Sequence, residues 1–394
     1  MSENANRSQH QASNNETLDF SCEYSSNIPE ILARLNISLA VTSYQTGRLI
    51  LVRSDGHSLD VNYKHFERPM GLTVDGDTMT MGVFTQVVSF QREDILLDKL
   101  KKPLQRIEDD ITAPRVTDVA DEGDTDEALE RYRQQQYEPV SPNVDACFLS
   151  RSTHFTGMIN IHDIGWGEQG LWVVNSSFSC LCTLEPGYSF TPKWKPHFIS
   201  ELVPEDRCHL NGMALKDGAP AYVTTFSTFD HGEQWRKQSS ATGTLMSVEE
   251  NEILVDGLMM PHSPRWYQDR VYFCHSGVGQ LCTYHPQTAQ TEIVAEYPGF
   301  TRGIDFYGPI LFVGVSKVRV SDAAKVAPLM QKYDETMSGI ALFNLDNKKE
   351  IGFIQFKGNI DQIYDVAVIT NSHFPEVIEP NHPRMRNHFC YPKL

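Results

Sequence analysis

Apolar positions along most of this chain either alternate with polar ones or form short unbroken stretches. Both patterns belong to β-strands. Ser38–Tyr44 (SLAVTSY) and Arg48–Ser54 (RLILVRS) are two such stretches, and Thr46-Gly47 between them predicts a turn. Helical spacing is scarce. It is found in Ile28–Leu35 (IPEILARL), which predicts a short helix, and within a charged stretch from about 92 to 142. The first 16 residues are polar and lack aromatics, which predicts a disordered tail, with a single folded domain over 17–394.

A phrase recurs: a small or turn residue, an aliphatic, a polar Gly/Asp turn, then a β-rich run. Arg68-Pro69-Met70-Gly71-Leu72 precedes TVDGDTMTMGVF, and Ile161-His162-Asp163-Ile164 precedes GWGEQGLWVVNS. His209-Leu210-Asn211-Gly212-Met213 precedes ALKDGAPAYVTTF, and Pro261-His262-Ser263-Pro264-Arg265 precedes WYQDRVYFCHSG. Thr301-Arg302-Gly303-Ile304 precedes DFYGPILFVGVS, and a weaker copy starts at Tyr364-Asp365-Val366-Ala367. The anchors Gly71, Asp163, Gly212, Pro264, Gly303 and Asp365 follow one another at 92, 49, 52, 39 and 62 residues. Four of these gaps suit a blade of four short strands, for which about 40–50 residues is usual. The long first gap holds the charged stretch (RIEDD, DVADEGDTDEALERYRQQQ), which reads as a partly helical insertion in a surface loop. The expected fold is therefore all-β, a β-propeller. Six blades follow from the anchors, whereas chain length alone also accommodates seven. Radial stacking buries both faces of sheets that could not bury them alone.

Composition narrows the partners. With 51 Asp+Glu against 34 Lys+Arg, the net charge is -17, which argues against nucleic acid or an anionic membrane surface. No apolar run approaches the ~20 residues of a membrane span. The N-terminal residues lack a signal peptide's apolar core, and the eight cysteines are scattered without a CxxC, so reduced thiols and a cytoplasmic location are expected. Cys180 and Cys182 share one strand face and read as buried. Cys208 and His209 are adjacent, so they point apart and make no dyad. Nucleophile-elbow, phosphate-loop and dinucleotide motifs are missing. The acidic insertion could serve as a lid or as a contact for a protein partner.

The phrases FERPMGL, HFTGMINIHDI, WKPHFIS, PEDRCHLNGMA, MPHSPR and PGFTRGI resemble an uncharacterised bacterial family, a domain of unknown function expected to be a β-propeller. The match spans roughly residues 20 to 320 and implies no established activity. More distantly, His-Leu-Asn-Gly-Met-Ala is similar to a Pro-Asn-Gly-aliphatic phrase of gluconolactonase-like six-bladed propellers. That resemblance implies a divalent-metal ligand at Asn211, although Leu210 stands where those enzymes have proline.

In a propeller, residues at the start of each innermost strand converge on the mouth of the central channel. The recurring phrase places His162, His209 and His262 there, from three consecutive copies, with Asp163, Asn211, Arg68, Arg265 and Arg302. Three imidazoles on one rim suggest a divalent transition-metal site, with Fe, Zn, Cu or Mn as candidates and open positions for water or substrate. Asp163 would orient an imidazole or act as a base, and Arg302 would assist at the reacting centre. Arg68, Arg265 and Asn211 would bind a small anionic substrate, since guanidinium forks recognise carboxylates and phosphates. The expected function is thus a metal-dependent enzyme, hydrolytic or redox, acting on a small anion at the channel. The alternatives are metal-free histidine acid–base chemistry, or a non-catalytic propeller with structural histidines that serves as an interaction platform or small-ligand binder. His154, His197 and His275 read as loop or blade-edge residues.

Overall fold

The structure is a computed structural model that describes residues 19–104, 136–232, 234–237, 240–319 and 327–392. The predicted tail falls outside these residues, as does the core of the charged insertion and any lid or partner contact it would make. Among the described residues no helix is long and apolar enough to cross a membrane.

Six sheets are arranged around a central channel as a six-bladed β-propeller. Blade one begins with Leu72–Asp75 and continues outward through Thr78–Val83, Gln86–Arg92 and Ala146–Phe155. The charged insertion therefore joins the third and fourth strands of this blade. Blades two, three and four begin with Ile161–Gly167, Leu210–Lys216 and Pro261–Tyr267, and blade five with Phe300–Tyr307. Blade six begins with Asp365–Thr370 but takes its other three strands from the chain's start: Ile37–Ser43, Arg48–Ser54 and Leu59–His65. The first strand of each blade packs against the first strand of the next, in a closed ring.

Three pairings lock the circle. Ile37–Thr42 pairs antiparallel with Asp365–Thr370 inside blade six. Cys22–Tyr24 adds an edge to blade five opposite Ile354–Phe356. Pro375–Ile378 runs parallel to Ala146–Leu149 and ties the C-terminal stretch to the edge of blade one.

Strand alternation explains the core. Leu49 and Leu51 face blade one, where they meet Met79, Met81 and Phe90. Ile50 and Val52, one residue out of phase, face blade five and meet Phe312 and Leu342. Each of the six blade interfaces has its own apolar cluster of this kind. A strand buried on both faces needs no polar alternation, which is why RLILVRS reads as an unbroken run. The helix forms at Ile28–Leu35, with Pro29 in its first turn and Asn36 in the left-handed conformation at its end. It sets Ile28 and Leu32 into the cluster between blades five and six.

The recurring anchors touch one another across the blades. A Cβ on Gly71 would lie 3.0 Å from the Asp163 backbone, and one on Gly212 would lie 2.4 Å from Pro264. Gly303, at φ +80°, would place a Cβ 2.9 Å from Asp365 Cα. Glycine here allows a backbone approach that a side chain would block. The six anchors thus form three Gly-to-neighbour contacts around the channel: blades one to two, three to four and five to six.

Candidate functional site

Each blade sends one residue from the start of its inner strand, or the turn before it, into a shared cavity of about 210 Å³ at one mouth of the channel. In ring order these are Arg68, His162, His209, His262, Arg302 and Tyr364. The three histidines occupy one arc, on blades two, three and four. Arg302, Tyr364 and Arg68 occupy the other, on blades five, six and one.

Local backbone irregularity aims these side chains. The strand registers of blades two to five each slip at the mouth end: at His162, at Asn211, between His262 and Arg265, and between Thr301 and Ile304. Such bulges rotate the following side chains relative to a regular strand. Arg68 and His209 themselves, and Asn160 and Met260 two residues before the other histidines, have positive φ. The turns at Asn160 and Met260 leave backbone carbonyls beside the imidazoles.

All three imidazoles are held through Nδ1. His162 Nδ1 is 2.9 Å from Asn160 O, and His262 Nδ1 is 2.9 Å from both Met260 O and Ser276 Oγ. His209 Nδ1 is 2.9 Å from the Asp206 carboxylate. Carbonyl and carboxylate oxygens only accept, so Nδ1 carries the proton in each ring. None of the three Nε2 atoms has a protein partner among the described residues, and in a neutral ring that Nε2 is an acceptor lone pair. Burial, followed by the charges of His209 and Arg302, holds His162 well below the usual histidine range. Burial and then Arg302 do the same for His262. Both rings are therefore neutral near pH 7. His209 packs against the rings of both Trp235 and Phe226, at centroid distances of 4.1 and 4.5 Å.

Arg302 is only 7% exposed. Its guanidinium carbon stacks 3.6 Å from the Tyr364 ring centroid, and no carboxylate lies within ion-pair distance among the described residues. The Tyr364 hydroxyl is buried beside the Arg302 guanidinium, with no well-formed hydrogen bond among the described atoms. Burial raises its pKa, so it stays a phenol and a donor. Arg68 is half-buried, with its guanidinium 5.6 Å from the Phe84 ring and again no carboxylate partner among the described residues. Lys317, Arg236 and Arg319 add to the cationic lining. Asp206 is the one carboxylate among the lining residues, and it is already bound to His209 and Arg236. A chain with a net charge of -17 thus lines this cavity with more basic than acidic side chains.

Three sequence candidates lie elsewhere. Asp163 and Arg265 sit at the waist of the channel, where the Arg265 fork binds Asp163 bidentately at 2.7 and 3.1 Å. Arg265 also reaches Asp365 at 3.5 Å. Asp163 accepts the backbone N–H of Met213 on the next blade, and Asp365 accepts that of Leu72. These groups tie inner strands together. Asp163 orients no imidazole, since its oxygens are taken by Arg265 and backbone amides. Arg265 borders a second cavity at the opposite end of the channel, beside Trp266 and Asp305. Asn211, displaced by the bulge, turns into blade three. Its Oδ1 accepts from Thr224 Oγ1 at 2.8 Å, and its Nδ2 lies 3.4 Å from His209 O. The oxygen expected to bind a metal is therefore occupied within the blade.

Among the described residues, no group of three or more His, Cys, Asp or Glu side chains is arranged to hold a metal ion. The Phe226 ring accounts for part of this, since it contacts both His209 and His262, at centroid distances of 4.5 and 5.0 Å. Two contributors escaped sequence reading. Tyr364 precedes its anchor by one residue, as His162 and Arg302 precede theirs, so aligning the copies by anchor would have found it. Asp206, three residues before His209, carried no repeat signal.

A family model described as a domain of unknown function (DUF4915) matches residues 26–127 and 124–378. No curated protein matches the sequence. Among solved structures, one from a crystal structure of a nidogen/laminin complex is similar, with 8% identity and a TM-score of 0.49. The similarity covers 85% of this chain and 99% of that one.

Proposed function

The chain belongs to the DUF4915 family, whose function is unknown, and from that premise we propose that the His/Arg mouth of its propeller binds a small organic anion and exchanges a proton with it. One observation carries the reading: Arg302 is a buried guanidinium without a carboxylate partner among the described residues. A buried cation costs several kcal/mol unless something pairs with it. The ligand's carboxylate or phosphate supplies that partner, and the Tyr364 hydroxyl donates a further hydrogen bond. The opposite arc offers the neutral imidazoles of His162 and His262, whose Nε2 lone pairs would face a ligand hydroxyl, amine or acidic C–H. A neutral imidazole with an unengaged Nε2 can accept a proton, and the ligand's negative charge would offset the Arg302 charge that helps to lower its pKa. The anion arc would hold the substrate, and the imidazole arc would take its proton.

Thermal denaturation with a panel of small carboxylates and inorganic phosphate tests this. A ligand at a hundred times its Kd stabilises the fold by about 2.7 kcal/mol. At least one anion should raise the midpoint of the wild type, and Arg302→Met should abolish the shift. If no anion moves the midpoint, or if Arg302→Met keeps the shift, the reading is wrong.

A second reading keeps the transition metal, Fe, Zn, Cu or Mn, on the three Nε2 atoms. Its support is the anchoring of every Nδ1, with a carboxylate behind His209, which is how metal-bearing imidazoles are commonly held. Small rotations of the rings around Phe226 would be required. Elemental analysis of untagged protein decides: a near-stoichiometric metal lost in His162→Gln and His262→Gln supports it. Metal-free protein that also takes up none on reconstitution rejects it.

A further inference from the structure

Resting on the anion reading, we propose that the ligand carries two negative charges, the second held by Arg68. The two guanidiniums come from blades five and one, on either side of Tyr364 in blade six. Neither has a carboxylate partner among the described residues: Arg302 lies 3.6 Å from the Tyr364 ring centroid, and Arg68 lies over the Phe84 ring at the longer distance of 5.6 Å. A guanidinium over a ring face keeps its N–H edge free to donate. Both also act on the same imidazole, since His162 feels the charge of Arg302 and, more weakly, of Arg68. One monoanion would satisfy the buried Arg302 and leave Arg68 as a second, unanswered cation beside it. The one carboxylate in the lining, Asp206, is on the far arc and already committed. A dianion neutralises both: either two carboxylates set a few bonds apart or one phosphoryl group. Its remaining polar atoms would then face the histidines.

The test compares acetate, succinate and inorganic phosphate by titration calorimetry, on wild type, Arg68→Asn and Arg302→Met. Asparagine is chosen because position 68 has φ +47°, which asparagine tolerates. A charge-assisted hydrogen bond of about 1.5–3 kcal/mol corresponds to roughly tenfold or more in affinity. Succinate or phosphate should therefore bind at least about tenfold tighter than acetate. Arg68→Asn should erase that advantage, and Arg68→Lys should restore part of it. Preference for succinate identifies two separate carboxylates, and preference for phosphate identifies a phosphoryl group. If acetate and succinate bind alike while Arg302→Met still abolishes binding, the second charge is refuted and the anion site stands. If none of the three binds, both readings fall.

Discussion

Arg265 and Arg302 belong to successive copies of one repeated phrase, yet their surroundings are opposite. Arg265 lies at the waist of the channel, with two carboxylates on its fork, which themselves accept backbone N–H groups from neighbouring blades. Arg302 lies at the mouth, further out of solvent than Arg265, stacked on an aromatic ring and facing a cavity. The first guanidinium is satisfied by the protein and holds the blades in a circle. The second is not, and what would satisfy it has to come from outside. Residue type and repeat position alone do not separate the two roles; the count of acceptors around each does.

The sharpest way to break this comparison is to remove each guanidinium in turn. Arg265→Met leaves Asp163 and Asp365 facing each other without their cation, and a broken buried pair costs about 3–5 kcal/mol. Its urea midpoint should fall accordingly. Arg302→Met removes a charge that no protein group answers, so stability should change by less than about 1 kcal/mol or increase. If the two variants lose equal stability, the distinction between waist and mouth is false.

A smaller effect probes the backbone contact beneath the waist. Gly303→Ala places a methyl 2.9 Å from Asp365 Cα at a left-handed φ. It should cost about 2 kcal/mol in equilibrium denaturation. Retention of wild-type stability would mean that blades five and six do not approach so closely.

The two regions should also respond to pH with opposite signs. His162 and His262 are neutral in the fold, with pKa values held below the unfolded value of about 6.5. The unfolded chain therefore binds more protons below that pH, and stability falls on acidification. Burial also pushes His275 down to about 4 and His382 down to about 3, and each adds to the same limb. Each such histidine contributes up to about 1.4 kcal/mol per pH unit once the unfolded chain titrates. Asp365 is raised to about 7, chiefly by burial. Its contribution is complete below the unfolded carboxylate range and is lost as pH rises toward 7. His162→Gln should flatten the acid limb, and Asp365→Asn should flatten the loss toward neutrality. Unchanged profiles would refute these assignments.

The smallest expected effect is at Tyr364→Phe. Removing a buried hydroxyl without a well-formed hydrogen bond should leave stability within about 1 kcal/mol of wild type or raise it. Anion affinity should drop several-fold. An unaffected affinity would remove Tyr364 from the ligand's partners.

Much of this architecture is readable from the chain because burial repeats. Alternation marked the strands, and the anchors marked the blades, since only small backbones fit where Gly71 meets Asp163 and Gly303 meets Asp365. Three imidazoles from three consecutive copies do share a cavity, because the start of each inner strand faces the mouth. Depth along the strand was not readable. Arg302 stands one residue before its anchor and reaches the mouth, whereas Arg265 stands one residue after its anchor and reaches the waist. Bulges were equally silent: the slip at Asn211 turns this residue into its blade while its neighbour two positions back lines the cavity. Nor could sequence show which cations already had partners, since Asp163 pairs with an arginine 102 positions away.

The most direct test of the account is the affinity of small anions for wild-type protein and for Arg302→Met, measured side by side by titration calorimetry on protein whose folding has been checked. The account predicts saturable binding to wild type and a loss of about tenfold or more in the variant, with the variant's stability intact. Equal binding by both proteins, or no binding by either, would contradict it.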